Sequence, residues 1–201
     1  MFIRSIIIPI IFFVFISSAF SQNFEGGIIV GFATSQFSGD DLGGFHKPGM
    51  IAGAFTATPI GKKSMMQFEI DFVQKGSWDP TGKHSKYKLN LNYVDAPLLF
   101  KYPYKKFILE AGPVLGTLIN YTEKNLYGDV NDSRKFARFE LAGIIGFDYA
   151  LSDKLIINAK YNNSILPVRK HVDGATYRLN WGQYNTIIEV SVHYKIKMIK
   201  N

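Results

Sequence analysis

Cysteine is absent from this chain of 201 residues. Its absence excludes a disulfide framework, a thiolate metal site and a lipid-modified cysteine near the N-terminus. Heptads, long helical stripes of apolar residues, low-complexity linkers and phosphate-binding loops are missing as well. What remains is a single domain in which short alternating segments follow one another, and this pattern favours an all-β fold.

The first 21 residues have the pattern of a secretory signal peptide. A basic start, MFIR, precedes the apolar run IIIPIIFFVFI and the small-residue stretch SSAFSQ, in which Ala19 and Ser21 are spaced for cleavage before Gln22. The apolar run is too short to span a bilayer. We therefore expect residues 1–21 to be removed on export and residues 22–201 to form the mature domain, with a retained anchor helix as the alternative.

The formal net charge of +7 comes from basic residues scattered through turns and loops. Nucleic-acid-binding proteins gather such residues on one face or helix, so nucleic acid is not an expected partner. Anionic lipid headgroups suit an exported basic chain better. We therefore expect membrane lipid as a partner.

Eight segments show the apolar–polar alternation of β-strands. They cover residues 24–33, 49–59, 65–74, 87–102, 107–121, 136–150, 155–164 and 185–196. Each is close to the ~9–11 residues that a tilted strand needs to cross a bilayer. Short connections alternate with long polar ones, as in barrels with tight periplasmic turns and long exterior loops. In the fourth segment the phase changes around Asp95 to Pro97, which predicts a β-bulge there.

The orientation of the strands follows from the volumes of the two faces. In MQFEIDF, for example, the apolar residues Met66, Phe68, Ile70 and Phe72 alternate with the polar residues Gln67, Glu69 and Asp71. Eight strands enclose space only for ordinary side chains, so nearly all the Phe, Tyr, Leu and Ile residues cannot lie inside. The predicted fold is an eight-stranded antiparallel up-and-down transmembrane β-barrel with a polar, side-chain-filled lumen. A soluble lipocalin-like barrel is the alternative.

The inward face is predicted to hold charges that neutralise one another, with small residues between them. The predicted structural network comprises Glu25, Glu69, Asp71, Lys101, Glu110, Arg138, Glu140, Asp148, Lys160, Glu189 and Lys195. Lys88, Asn90, Asn92, Ala52 and Ala54 are assigned to the same face, whereas Leu89, Leu91 and Tyr93 are assigned to the lipid face.

Five stretches also resemble the PorT-like outer-membrane β-barrel family of exported bacterial proteins. They are FEGGIIVGFATSQFSGDD, EIDFVQKGS (69–77), LNLNYVDAPLLFKY (89–102), EAGPVLGTLI (110–119) and ELAGIIGFDY (140–149). The resemblance covers most of the mature chain. It implies an eight-stranded barrel in the bacterial outer membrane, and the founding member of the family is associated with protein secretion.

Candidate catalytic and metal sites are weak. Glu189, Ser191 and His193 supply the groups of a hydrolytic triad, but residues two apart on a strand lie ~7 Å apart, too far for Ser–His chemistry. His46, His84 and His171 fall in three loops without ligand spacing. The loop SGDDLGG lacks the bidentate glutamate of a calcium loop. We expect no catalytic residues, no metal and no cofactor.

The predicted function is therefore that of a small, non-enzymatic integral outer-membrane barrel with a structural or partner-binding role. The expected partners are outer-membrane lipid and other outer-membrane or periplasmic proteins. An accessory of a protein secretion or assembly complex is one form of that role. The alternatives are an outer-membrane lipid-modifying hydrolase and a soluble exported barrel that binds an apolar ligand.

Overall fold

The chain folds into a closed antiparallel β-barrel. The computed structural model describes residues 24–39, 42, 44–79, 81, 86–130, 134–170 and 182–196. Its strands are β1 (Glu25–Ser38), β2 (Lys47–Ile60), β3 (Ser64–Trp78), β4 (Lys88–Tyr104), β5 (Phe107–Asn125), β6 (Gly128–Asp129), β7 (Phe139–Ala150), β8 (Leu155–Ser164) and β9 (Tyr184–Ile196). The eight long strands pair in chain order, and β9 pairs with β1 to close the barrel. The two-residue β6 pairs with the end of β5.

All eight predicted segments coincide with the eight long strands, so the predicted fold is confirmed. Short connections, residues 61–63, 105–106 and 151–154, lie at one end of the barrel, and the long connections lie at the other. The end with short connections is the periplasmic end by the rule for such barrels. The predicted signal segment, residues 1–21, lies outside the described residues. Within the described ranges, no helix is long and apolar enough to span a membrane.

The outer surface is apolar, which answers the question of orientation. On β3, Phe68, Ile70 and Phe72 are exposed on the outside, whereas Glu69 and Asp71 are buried inside. Exposed apolar rows on the other strands continue this belt: Ile28, Val30 and Phe32 on β1, Leu98 and Phe100 on β4, Ile145 and Phe147 on β7, and Val190 and Val192 on β9. Such a surface needs lipid against it, so the soluble alternative is wrong.

Strand β2 faces the opposite way from the prediction. Ile51, Phe55 and Ala57 point inward, and Ala52 and Ala54 point outward. The reason is an apolar patch in the interior, where the inward residues of β2 pack with those of neighbouring strands. Its members are Ile29, Ala33, Ile51, Phe55, Ala57, Val73 and Ile187. One inward position, Gly27, lies opposite Phe55, and a Cβ there would meet the Phe55 ring at 2.6 Å, so glycine makes room for this aromatic ring.

The predicted phase change and bulge in β4 are also wrong. Burial alternates without a break from Leu89 to Lys101, so Leu89, Leu91 and Tyr93 lie inside and Lys88, Asn90 and Asn92 lie outside. At the exterior end, β3, β4 and β5 continue past the hydrocarbon core of the membrane, where polar side chains are stable on the outer face. The irregularity lies on β5 instead. Asn92 pairs with Asn120 and Tyr93 with Leu118, which leaves Ile119 as the extra residue.

Candidate functional site in the barrel interior

Three buried lysines organise the polar interior, and the first is Lys75 on β3. Its Nζ lies 2.8 Å from Oδ2 of Asp95 on β4 and 2.7 Å from Oε2 of Glu140 on β7. The ammonium group also lies 4.4 Å from the centroid of the Tyr93 ring. Asn185 and Ser164 donate hydrogen bonds to the second oxygen of Glu140. Lys75 therefore joins strands on opposite walls of the barrel.

The second lysine, Lys101, bridges two carboxylates near the periplasmic turns. Its Nζ lies 2.9 Å from Glu110 and 2.6 Å from Asp148, and all three groups are buried. The amide nitrogen of Asn158 on β8 donates to the same carboxylates at 2.7 and 2.6 Å. One amide and one ammonium group thus hold both carboxylates, which leaves little freedom for either side chain.

The third lysine, Lys160 on β8, pairs across the lumen with Glu69 on β3. Gln67 donates a hydrogen bond of 2.6 Å to the other oxygen of Glu69. Glu189 accepts a hydrogen bond of 3.2 Å from Asn162. Buried charges of this kind are tolerated when they are paired and hydrogen-bonded, as these are.

The structure places the predicted network residues in three groups. Eight are buried in the interior: Glu69, Asp71, Lys101, Glu110, Glu140, Asp148, Lys160 and Glu189. Glu25 and Lys195 contact each other at 2.8 Å at the periplasmic rim, but their side chains are 50% and 29% exposed. Arg138 is exposed just before β7, so its assignment to the lumen is wrong. Arg138 lies at the exterior end of the barrel, just before β7 begins, where its side chain reaches water instead of the lumen.

Sequence reasoning missed Lys75 and Asp95. Lys75 lay just beyond the predicted end of its strand, and Asp95 was read as part of a bulge. Two signals pointed to them: Lys75 continues the inward alternation of Glu69, Asp71 and Val73, and Asp95 continues that of Leu91 and Tyr93. Extension of both alternations by one step places a lysine and an aspartate on the inward faces of two neighbouring strands.

The interior holds more carboxyl groups than the sequence analysis expected. Among the described buried residues the acids are Glu69, Asp71, Asp79, Asp95, Glu110, Glu123, Glu140, Asp148 and Glu189, and the basic residues are Lys47, Lys75, Lys101, Lys160 and Arg169. Neutral donors supply part of the difference, since Gln67, Asn158, Asn162 and Asn185 all donate to these carboxyl groups. Acidic side chains outnumber basic ones among these residues, and amide side chains supply further donors to the carboxyl groups.

The Ser–His contact that spacing alone seemed to forbid does exist. The Ser191 hydroxyl lies 3.0 Å from Nε2 of His193, because both side chains turn toward each other along the strand. Glu189, however, bonds to Asn162, and the His193 ring packs 5.4 Å from the Phe55 ring. His193 is fully buried. A triad needs an acid on the histidine and access for a substrate, and this arrangement provides neither.

The structure describes only part of the histidine and calcium candidates. His46 is described at the exterior end, whereas His84, His171 and residues 40, 41 and 43 lie outside the described residues. In the part of the chain that the structure describes, no group of three or more His, Asp or Glu side chains is arranged to hold a metal ion.

A cap around Arg169 closes the exterior end of the lumen. The guanidinium group lies 2.7 Å from Glu123, donates to Gln183 at 2.6 Å and stacks 4.3 Å from the centroid of the Phe136 ring. Tyr87 donates to the other oxygen of Glu123. Burial and this hydrogen bond raise the pKa of the Tyr87 hydroxyl, so Tyr87 remains a donor at all physiological pH values. Below the cap lie the apolar residues Phe37, Leu89, Leu91 and Val168.

These features define an integral outer-membrane β-barrel of the small, side-chain-filled kind. Residues 20–168 match the outer membrane protein beta-barrel domain. The chain belongs to this family, and the protein lies in the bacterial outer membrane.

The barrel is similar to solved outer-membrane proteins in fold. Neisserial surface protein A (NspA) has 14% sequence identity and a TM-score of 0.51, over 86% of this chain and 97% of NspA. Ail, the attachment invasion locus protein of Yersinia pestis, has 11% identity and a TM-score of 0.49, over 87% of this chain and 99% of Ail. No curated protein matches the sequence. At these identities the likeness to NspA supports the fold alone.

Proposed function

We propose that this protein is a non-enzymatic outer-membrane barrel that acts through its surface, as a structural or partner-binding protein. The observation that carries this proposal is the filled interior. The Lys75, Lys101 and Lys160 clusters occupy the lumen, and the Arg169 cap closes its exterior end. Side chains packed in this way leave no open channel for solutes through the described part of an eight-stranded barrel.

The exterior extension of strands β3 to β5 is the best-formed surface for a partner. On its outer face Gln74, Asn92 and Asn120 make an amide ladder, with Gln74 donating to Asn92 at 3.3 Å and Asn92 to Asn120 at 2.6 Å. At the tip of the β5–β6 hairpin, Leu126 and Tyr127 are 58% and 87% exposed. An exposed tyrosine at a hairpin tip is typical of contact residues in protein interfaces.

The finer proposal, a PorT-like accessory of a secretion or assembly complex, rests on the sequence resemblance. In that role the partner is another outer-membrane or periplasmic protein. The periplasmic turn between β4 and β5 offers a second contact point, since Tyr104 and Phe107 are exposed there. An experiment can therefore compare partner binding at the exterior end with partner binding at the periplasmic end.

Site-specific photo-crosslinking in living cells separates these possibilities. A photoreactive phenylalanine analogue replaces Tyr127 at the exterior tip, Tyr104 at the periplasmic turn, or the lipid-facing Tyr161 as the matched control. We expect a discrete protein adduct at Tyr127 and none at Tyr161. An adduct at Tyr104 alone places the partner in the periplasm and favours the accessory role.

The hydrolase alternative has its own signature. Phospholipid turnover by the purified protein in vesicles, lost in Ser191→Ala at unchanged stability, would contradict the proposal. No adduct at Tyr127 or Tyr104 would also count against a partner-binding role.

A further inference from the structure

A pocket opens at the exterior end of the barrel wall, where strands β2 and β3 separate. Their ladder ends at the pair Ile51–Val73. Both strands nevertheless continue, to Lys47 and to Trp78. The gap between them has a volume of about 230 Å³ and is lined by Lys47, Pro48, Trp78 and Lys88. At about 30 Å³ for each water molecule, it has the volume of roughly seven or eight waters.

The pocket contains a buried cation for which the described residues provide no counter-ion. Lys47 is 5% exposed, and its Nζ donates to the backbone carbonyl of Pro48 at 2.6 Å. Among the described residues, neither Lys47 nor Lys88 forms an ion pair with a carboxylate. Every buried lysine of the lumen has such a partner, as the Lys75, Lys101 and Lys160 pairs demonstrate. A buried ammonium group with one neutral acceptor is costly, unless an anion completes its surroundings.

The height of the pocket places it among the lipid headgroups. Met50, two residues from Pro48 on β2, is an exposed apolar residue of the outer face. Two residues span ~7 Å along a strand, or ~5 Å in height at a tilt of ~35–45°. The headgroup layer is also ~5–7 Å thick on each side of the hydrocarbon core. Trp78 in the pocket wall fits this level, since tryptophan is enriched at membrane interfaces.

We propose that this pocket binds a phosphate group, with Lys47 and Lys88 as the cationic ligands and Trp78 and Pro48 as the apolar walls. Phosphate carries up to two negative charges and several acceptor oxygens, so one group can satisfy both ammonium ions at once. The phosphate belongs either to an outer-leaflet lipid headgroup or to a soluble phosphate ester. The inference is independent of any protein partner at the hairpin tip.

Fluorescence of Trp78 reports binding directly. The chain has two tryptophans, so a Trp181→Phe background leaves Trp78 as the single reporter. The folded protein is titrated in detergent micelles with inorganic phosphate and with glycerol phosphate. In parallel it is reconstituted in nanodiscs of phosphatidylcholine with rising fractions of phosphatidic acid, whose phosphate is a monoester.

Matched variants distinguish a built site from general attraction to charge. Lys47→Met/Lys88→Met removes two positive charges at the pocket, and Lys62→Met/Lys63→Met removes two at the exposed periplasmic turn. We expect saturable binding that weakens at least tenfold in the first variant and less than twofold in the second. Lys88→Glu alone changes an exposed side chain, so its expected loss of binding does not depend on the burial of Lys47.

Stability supplies a second readout. Removal of an unpaired buried cation should leave Lys47→Met at least as stable as the parent in the absence of phosphate, and saturating ligand should raise the Tm of the parent but not of this variant. A response to phosphatidic acid alone identifies a lipid headgroup as the source, and a response to glycerol phosphate identifies a soluble ester. No saturable response to any probe, or an equal loss in both double variants, would overturn the proposal.

Discussion

At the scale of single residues, burial decides what each charge contributes. Lys75 is fully buried between Asp95 and Glu140, so Lys75→Met leaves two carboxylates in a low-dielectric interior without their cation. Loss of one partner from a buried ion pair costs about 3–5 kcal/mol. We expect Lys75→Met to lower the free energy of unfolding by about that amount, measured by denaturant or thermal unfolding in detergent.

The control for Lys75 is the exposed pair at the periplasmic rim. Lys195→Met breaks its contact with Glu25, where both side chains reach water, and the expected cost is below about 1 kcal/mol. The triple variant Lys75→Met/Asp95→Asn/Glu140→Gln should regain much of the stability that Lys75→Met loses, because no charge remains unpaired. Equal losses for Lys75→Met and Lys195→Met would contradict the burial of Lys75.

Neighbouring residues on β3 test the orientation of the wall. Phe68 is 41% exposed on the lipid face, whereas Gln67 is buried and donates to Glu69. A lysine on the lipid face costs up to ~2–4 kcal/mol, while a lysine at position 67 has the Glu69 carboxylate within reach. Phe68→Lys should therefore reduce the folded fraction in a detergent or vesicle folding assay far more than Gln67→Lys. Comparable effects at the two positions would reverse the assignment of inside and outside.

At the scale of strands, the closing seam between β1 and β9 depends on close backbone approach. Gly31 pairs with Ser191, and a Cβ at Gly31 would lie 2.4 Å from the Val190 carbonyl oxygen and 2.6 Å from the Ser191 Cβ. Overpacking of this kind typically costs about 1–3 kcal/mol. We expect Gly31→Ala to lower the thermal unfolding midpoint in detergent.

Gly143 on β7 is the matched control for Gly31. A Cβ there would meet Ile165 at an ordinary 3.7 Å, so Gly143→Ala should change the midpoint little. A Gly31→Ala barrel as stable as Gly143→Ala would indicate that the strands of the seam lie farther apart than the structure places them.

The positions of the strands could be predicted from alternation, but which side of β2 and β4 points into the lumen could not. Alternation works where one face meets lipid and the other meets charge, as on β3, β7 and β9. It misled on β2, where the inward residues Ile51 and Phe55 are apolar because that part of the lumen is apolar. It misled on β4 because the outward residues Asn90 and Asn92 lie past the hydrocarbon core, where polar side chains are stable. The polarity of a face depends on depth, and the sequence carries no direct mark of depth.

The sequence predicts which charged residues point into the interior, but it does not predict which of them form ion pairs with each other. Eight of the eleven predicted network residues are buried, because inward alternation identifies them. Their pairing across the lumen, such as Lys160 on β8 with Glu69 on β3, depends on barrel closure and side-chain reach. The Arg169 cap lay beyond prediction for the same reason, since Arg169 follows the end of β8 and contacts Glu123 from a different strand.

At the scale of the whole molecule, the filled lumen determines whether the barrel conducts. Side chains occupy the interior from the Arg169–Glu123 cap, past Lys75, to the Lys101 cluster near the periplasmic turns. Eight strands leave an interior just wide enough for such side chains. We expect the purified protein to give no steady single-channel currents in planar bilayers.

A cap variant makes the test of conduction sharper. Arg169→Ala opens the exterior end but leaves the Lys75 and Lys101 clusters in place, so it should remain closed as well. Combination of Arg169→Ala with the neutralised triple variant at Lys75 keeps the interior side chains nearly as large, and it too should conduct poorly. Reproducible step-like currents from the parent protein would mean that the interior clusters open in the membrane, and the barrel would then act as a channel. Currents that first arise in Arg169→Ala would instead identify the cap as the single barrier to solutes.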